Sequence, residues 1–136
     1  MEIEAFLLCD AATDQQGKLN VLGAFDNIFV KELPAVYPAC AIAARIRFEK
    51  IEEGNHPVKM LIIDEDGKAL GPKLEGNIAV RSNDKVDSVV VNLVLNMQRI
   101  KFEKLGRYRI DLAVDGQIKG VLPFSVRNIP NQKQGS

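Results

Sequence analysis

The chain has 136 residues, 46% of them hydrophobic and 26% charged, the composition of an average soluble protein and the length of one domain. Its 18 basic and 18 acidic side chains cancel to a formal net charge of zero, which argues against a dedicated nucleic-acid binder. No apolar run approaches the roughly 20 residues of a membrane span. Met1-Glu2-Ile3-Glu4 is acidic where an export signal is basic, so a cytoplasmic protein is expected.

Alternation with period two dominates from the start, and it places successive side chains on opposite faces of a strand. Ile3, Ala5, Leu7 and Cys9 form one face of a first strand, opposite Phe6 and Leu8. A polar stretch to Lys18 follows, with Gly17 as its turn residue. Residues 19–30 read as a long strand broken near Gly23 or Asp26-Asn27. Residues 33–38 contain Pro34 and Pro38, neither of which can donate to a ladder, so they read as a connection. Cys40, Ile42, Ala44, Ile46 and Phe48 then alternate with Ala41, Ala43, Arg45 and Arg47 in the cleanest strand of the chain. Residues 50–54 suggest no more than one helical turn.

Residues 58–63 are a short apolar strand closed by the hairpin turn Asp64-Glu65-Asp66-Gly67-Lys68. Residues 74–80 are another strand, and residues 81–87 a charged loop. Val89, Val91, Leu93, Leu95 and Met97 alternate with Val90, Asn92, Val94 and Asn96, and Ile100 and Phe102 form a separate patch. Tyr108, Ile110, Leu112 and Val114 lead into the turn Asp115-Gly116 and a last strand through Leu122, Phe124 and Val126. About eight strands with turn signals between them predict an all-β antiparallel sandwich, immunoglobulin-like or a related Greek key, with barrel closure as the alternative. Residues 1–128 are expected to form that single domain and residues 129–136 a flexible tail. Tyr108, just after Gly106, is placed to hydrogen-bond back to the backbone upstream, as a tyrosine does at a corner of immunoglobulin-like sandwiches. The expected core is Leu7, Cys9, Phe25, Ile42, Ala44, Ile46, Ile62, Val91, Leu93, Leu95, Ile110, Leu112, Leu122 and Phe124.

The chain opens with Glu4-Ala5-Phe6-Leu7-Leu8-Cys9-Asp10-Ala11-Ala12-Thr13-Asp14 and Gly17-Lys18-Leu19-Asn20-Val21-Leu22-Gly23-Ala24-Phe25-Asp26, and later carries Asp64-Glu65-Asp66-Gly67 and Gly106-Arg107-Tyr108 with Asp115-Gly116. Together these pieces resemble a family of short, uncharacterised bacterial proteins classed as a domain of unknown function. The resemblance runs over about residues 2–127. It implies bacterial origin, one domain and no assigned activity, and it supplies no catalytic residues.

The chemistry-bearing residues are few. His56 is the sole histidine, and Cys9 and Cys40 are the only cysteines, without C-x-x-C spacing. The two cysteines read as reduced core thiols. No serine lies in a G-x-S-x-G context and no phosphate-cradling glycine loop occurs. A non-enzymatic binding or interaction module without a cofactor is therefore the expected function. The alternative is a calcium- or anion-binding sandwich. Its calcium ligands would be the turn acids Asp10, Asp14, Asp64, Glu65, Asp66, Asp84 and Asp87, and its anion patch Arg45, Arg47, Arg107 and Arg109, if their strands share a sheet. Phe6, Leu8, Leu61, Ile63, Val90 and Val94 break the rule that the outer face of a sandwich is polar. If adjacent, they form an apolar stripe, which the connection 33–38, a second copy of the chain or a foreign partner would cover.

Overall fold

The alternating runs become strands, and their pairing decides which face each side chain takes. The computed structural model describes residues 1–81 and 87–130. They contain β1 (Glu2–Gln15), β2 (Lys18–Ala24), β3 (Asn27–Val30), β4 (Ala35–Glu49), β5 (Gly54–Asp64), β6 (Ala69–Val80), β7 (Ser88–Phe102), β8 (Gly106–Val114) and β9 (Gln117–Asn128). One 3-10 turn, Lys50–Glu52, joins β4 to β5. The stretch 19–30 breaks between Ala24 and Asn27. Two expectations are corrected. Residues 35–38 are the start of β4 rather than a connection, and the patch at Ile100 and Phe102 continues β7. Pro38 is accommodated because it and the opposite Arg99 drop out of the β4–β7 register, Arg99 at a positive φ of 53°.

The strands form two sheets, β2-β1-β4-β7 and β3-β9-β8-β5-β6, so the fold is a sandwich and not a closed barrel. All pairings are antiparallel except β3 with β9. The order β9-β8-β5-β6 corresponds to G-F-C-C′ of an immunoglobulin sandwich, and β1-β4-β7 to A-B-E. The Tyr108 hydroxyl donates to the Lys104 carbonyl at 2.6 Å, the expected corner. Its ring stacks on Phe124 at 5.4 Å, and Phe102 meets both rings edge-on.

Between the sheets lie Ile42, Ala44, Ile46, Phe48, Ile62, Ile110, Leu112 and Phe124, with Leu8 on the same side. Phe25, Val91, Leu93, Leu95 and Leu122 pack on this core half-buried. Leu7 does not belong to it and is 37% exposed. The cause is a register shift between Ile3 and Ala5 in the β1–β4 pairing: one extra residue turns Phe6 and Leu8 inward and Leu7 and Cys9 outward.

Cys9 is nonetheless fully buried, because β1 and β2 double back over the outside of their own sheet. The last β1–β4 pair is Cys9 with Ala41, after which the hairpin kinks at Asp10 and Gly23, the latter at φ 67°. The hairpin tip returns to the level of Arg45, whose Nη1 donates to the Gly17 carbonyl at 3.4 Å. Asn92 Nδ2 donates to the same carbonyl and to Asp14 Oδ1, both at 3.1 Å. Beneath it Cys9, Ala12, Ala41 and Ala43 form a second small core, with Leu19 and Val94 packed on it. Alanine at 41 and 43 allows a third layer to approach this closely.

Candidate functional site

The side chains expected to form one apolar stripe are dispersed. Phe6 and Leu8 face the main core, Leu61 and Ile63 lie on the outer face of the β5-containing sheet, and Val90 and Val94 on the outer face of the other. What covers the outer face of β1-β4-β7 is the β1–β2 hairpin, not the connection 33–38.

The four arginines are likewise split. Arg45 and Arg47 stand on β4 and Arg107 and Arg109 on β8, in different sheets and on opposite outer faces, so they form no common patch. The extra residue in β1 places Glu4 between the first pair, and it accepts from Arg45 Nε at 3.0 Å and Arg47 Nε at 2.6 Å. The Arg47 hydrogen bond, ahead of the other influences, holds the Glu4 carboxyl below its usual range. Arg109 pairs with the buried Asp111 at 3.0 Å. Among the turn acids, Asp64 and Glu65 cap backbone amides, while Asp66 pairs with Lys104 and Asp14 with Asn92. Asp64 Oδ1 accepts from the amides of Asp66 and Lys68 at 2.9 Å, and Glu65 Oε1 from the amide of Arg107 at 2.7 Å. Asp84 lies outside the described residues. Among the described residues no three His, Cys, Asp or Glu side chains converge as a metal site, and no helix is long and apolar enough to cross a membrane.

The two cysteines and the histidine are held within the fold. Both thiols are free and buried, and desolvation, ahead of nearby negative charge, pushes the Cys40 thiol up to about 11. His56 Nδ1 lies 2.8 Å from Asp115 Oδ2, and Nε2 lies against the Glu52 carbonyl, with the ring packed 4.8 Å from Phe48. Two acceptors favour the doubly protonated ring, so the Glu52 carbonyl first and Asp115 second raise the pKa of His56. A histidine pKa raised on folding stabilises the protein fully below the unfolded value of about 6.5, and that contribution is lost as pH rises through the folded value. Thermal melts taken from about pH 5.5 to 8.5 are expected to show the melting temperature falling over this range, and the fall should flatten in His56→Gln. An unchanged slope in that variant would refute the assignment.

Among the described residues the long outer edge of β7 is left unflanked. The sheet edges are β2, β7, β3 and β6. β3 has four residues, β2 carries Lys18 and Gly23, and β6 is interrupted by Gly71, Pro72 and Gly76 and charged at Lys73 and Glu75. Such features keep an edge from pairing with another chain. β7 has 15 residues and pairs with β4 from Ser88 to Phe102, yet no described strand lies on its other side. In the constant-type immunoglobulin sandwich strand D flanks E; here the strand between C and E is β6, which belongs to the opposite sheet. Residues 88–98 contain no charge, no proline and no glycine, and are rich in valine and leucine. Every side chain from Ser88 to Leu95 is half-buried, whichever face it takes, as on an edge covered by one neighbour. Behind it an apolar slot of ≈ 170 Å³ is lined by Val58, Met60, Leu74, Leu93 and Leu95, opposite the bare backbone of Gly76. The uninterrupted β pattern of 88–98 was legible in the sequence. Its position at an edge depends on long-range pairing and was not. A second concavity, an open groove of ≈ 700 Å³ on the outer face of the other sheet, is lined by Pro57, Lys59, Leu61, Asp111 and Ile118.

The sequence model of a family of unknown function (DUF6941) matches residues 4–127, so the chain belongs to that family. No curated protein matches it. Among solved structures, a beta-glucuronidase from glycoside hydrolase family 2 is similar over 69% of this chain and 11% of that one, at 16% identity and a TM-score of 0.38. The chain thus spans about a tenth of that enzyme's length.

Proposed function

We propose that this member of a family without an assigned activity is a non-enzymatic interaction module that takes a partner strand along the open edge of β7. The observation that carries the reading is that edge: long, uncharged over 88–98, and unflanked among the described residues. An edge presents a row of unpaired N–H and C=O groups, and main-chain hydrogen bonds to an added strand supply affinity while side chains supply specificity. The engaged His56 and the buried thiols support a binding role over a catalytic one. Two buried free thiols also suit a reducing compartment, and we take the setting to be the bacterial cytoplasm.

The test is a synthetic peptide carrying the sequence of residues 88–98 with added terminal lysines, titrated into the labelled protein and followed by two-dimensional NMR. Amide shifts confined to β7 and the adjoining parts of β4 and β6 are expected. Shifts gathered in the groove between Leu61 and Ile118, or none at saturating peptide, would overturn the reading.

A further inference from the structure

We infer that the strand β7 takes is β7 of a second copy of this chain, paired antiparallel about a two-fold axis at Leu93; the inference rests on the strand-addition reading above. The register follows from where the charges stop. The uncharged segment runs from Ser88 to Gln98 and its midpoint is Leu93, so pairing about that residue sets neutral residues only against neutral residues. The first charges beyond it are Asp87 on one side and Arg99 on the other, each six positions from Leu93. In this register Asp87 of each copy, just before β7, and Arg99 of the other, at the kink in β7, are brought to the same end of the seam, so that opposite rather than like charges meet at both ends. A shift of register in either direction costs that match and brings a charge against the apolar strand. The sequence is self-complementary in the way an isologous contact requires.

The faces agree as well. Antiparallel partners directly opposite one another point to the same side of the sheet. About Leu93, the inward row pairs Leu93 with itself, Val91 with Leu95 and Val89 with Met97. All five side chains belong to the main core or pack on it, and Val89, Val91, Leu93 and Leu95 are only half-buried in the single chain. The outward row pairs Val90 with Asn96 and Asn92 with Val94. The added strand shields the apolar residues that the edge leaves half-exposed and extends the four-stranded sheet into one of eight strands across the axis.

Two charged pairs test the contact. Val90→Lys with Asn96→Lys, and separately Val90→Glu with Asn96→Glu, place like charges opposite one another across the axis. Val90 is half-buried on the outer face and Asn96 is exposed, so both variants are expected to fold, as checked by circular dichroism. Sedimentation should show the native chain as a dimer, each variant weakened by about tenfold or more, and the two variants associating with each other when mixed. The register is read by Leu93→Cys, which should cross-link to its own copy under mild oxidation. Val91→Cys should do so only when mixed with Leu95→Cys. A native chain that stays monomeric while the 88–98 peptide still shifts β7 would overturn the second-copy inference and leave the strand-addition reading standing. A native dimer indifferent to both charged pairs would place its interface elsewhere and overturn the second-copy inference, while the 88–98 peptide alone decides the strand-addition reading.

Discussion

Replacing Phe102 by alanine is expected to cost about 3–5 kcal/mol of folding stability. Phe102 closes β7 at 1% exposure, with ring centroids 5.2 Å from Tyr108 and 6.1 Å from Phe124. Those two rings stack on one another, so the vacated volume is bounded by groups already held in place. Tyr108 is tied by its hydroxyl to the Lys104 carbonyl and cannot swing in without giving up that bond. Little collapse is available, which puts the cost toward the upper end of the range for such truncations. Urea denaturation with an unchanged slope should report the loss, and the melting temperature should fall by roughly 10 °C or more. A loss below about 1.5 kcal/mol would mean that this aromatic cluster does not anchor the sandwich.

Ala43→Leu tests the folded-back hairpin. Ala43 points to the outer face of its sheet, where a larger aliphatic residue on an open surface would be neutral or mildly favourable. The residue is fully buried beside Cys9, Ala12 and Ala41, under a hairpin whose tip is held by Arg45 and Asn92. Three added carbons have no room there, and overpacking should destabilise by about 1–3 kcal/mol. A neutral result in chemical denaturation would show that the hairpin stands away from the sheet in solution.

What the sequence discloses is local. The alternation over Cys40 to Phe48 and Tyr108 to Val114 defines strands with the right inward residues, and the tyrosine corner is visible because Gly106, Tyr108 and the acceptor Lys104 lie within five positions. What it conceals depends on pairing. One extra residue between Ile3 and Ala5 exchanges the faces of β1, so Leu8 is in the core where alternation counted from Ile3 places Leu7. A paired kink at Pro38 and Arg99 lets β4 and β7 run on through a proline that reads as a break. The four arginines look alike along the chain, and only the sheet assignment of β4 and β8 sends them to opposite sides of the molecule. The candidate site belongs to this second class. Val90 and Val94 are conspicuous as apolar residues on an outer row, but the feature that matters is the unpaired backbone beside them. No side-chain pattern reports it.

Residue-resolved amide hydrogen exchange along β7 tests the central claim most directly, because it reads the backbone groups that a partner strand would engage. Within 88–98, the amides not donated to β4 are predicted to exchange quickly in dilute protein. They should become protected, in alternation, when the chain is concentrated or the 88–98 peptide is added, while β5 and β8 stay unchanged. Protection of those amides already complete in a dilute monomer, or new protection appearing around Leu61, Asp111 and Ile118 instead, would contradict the account.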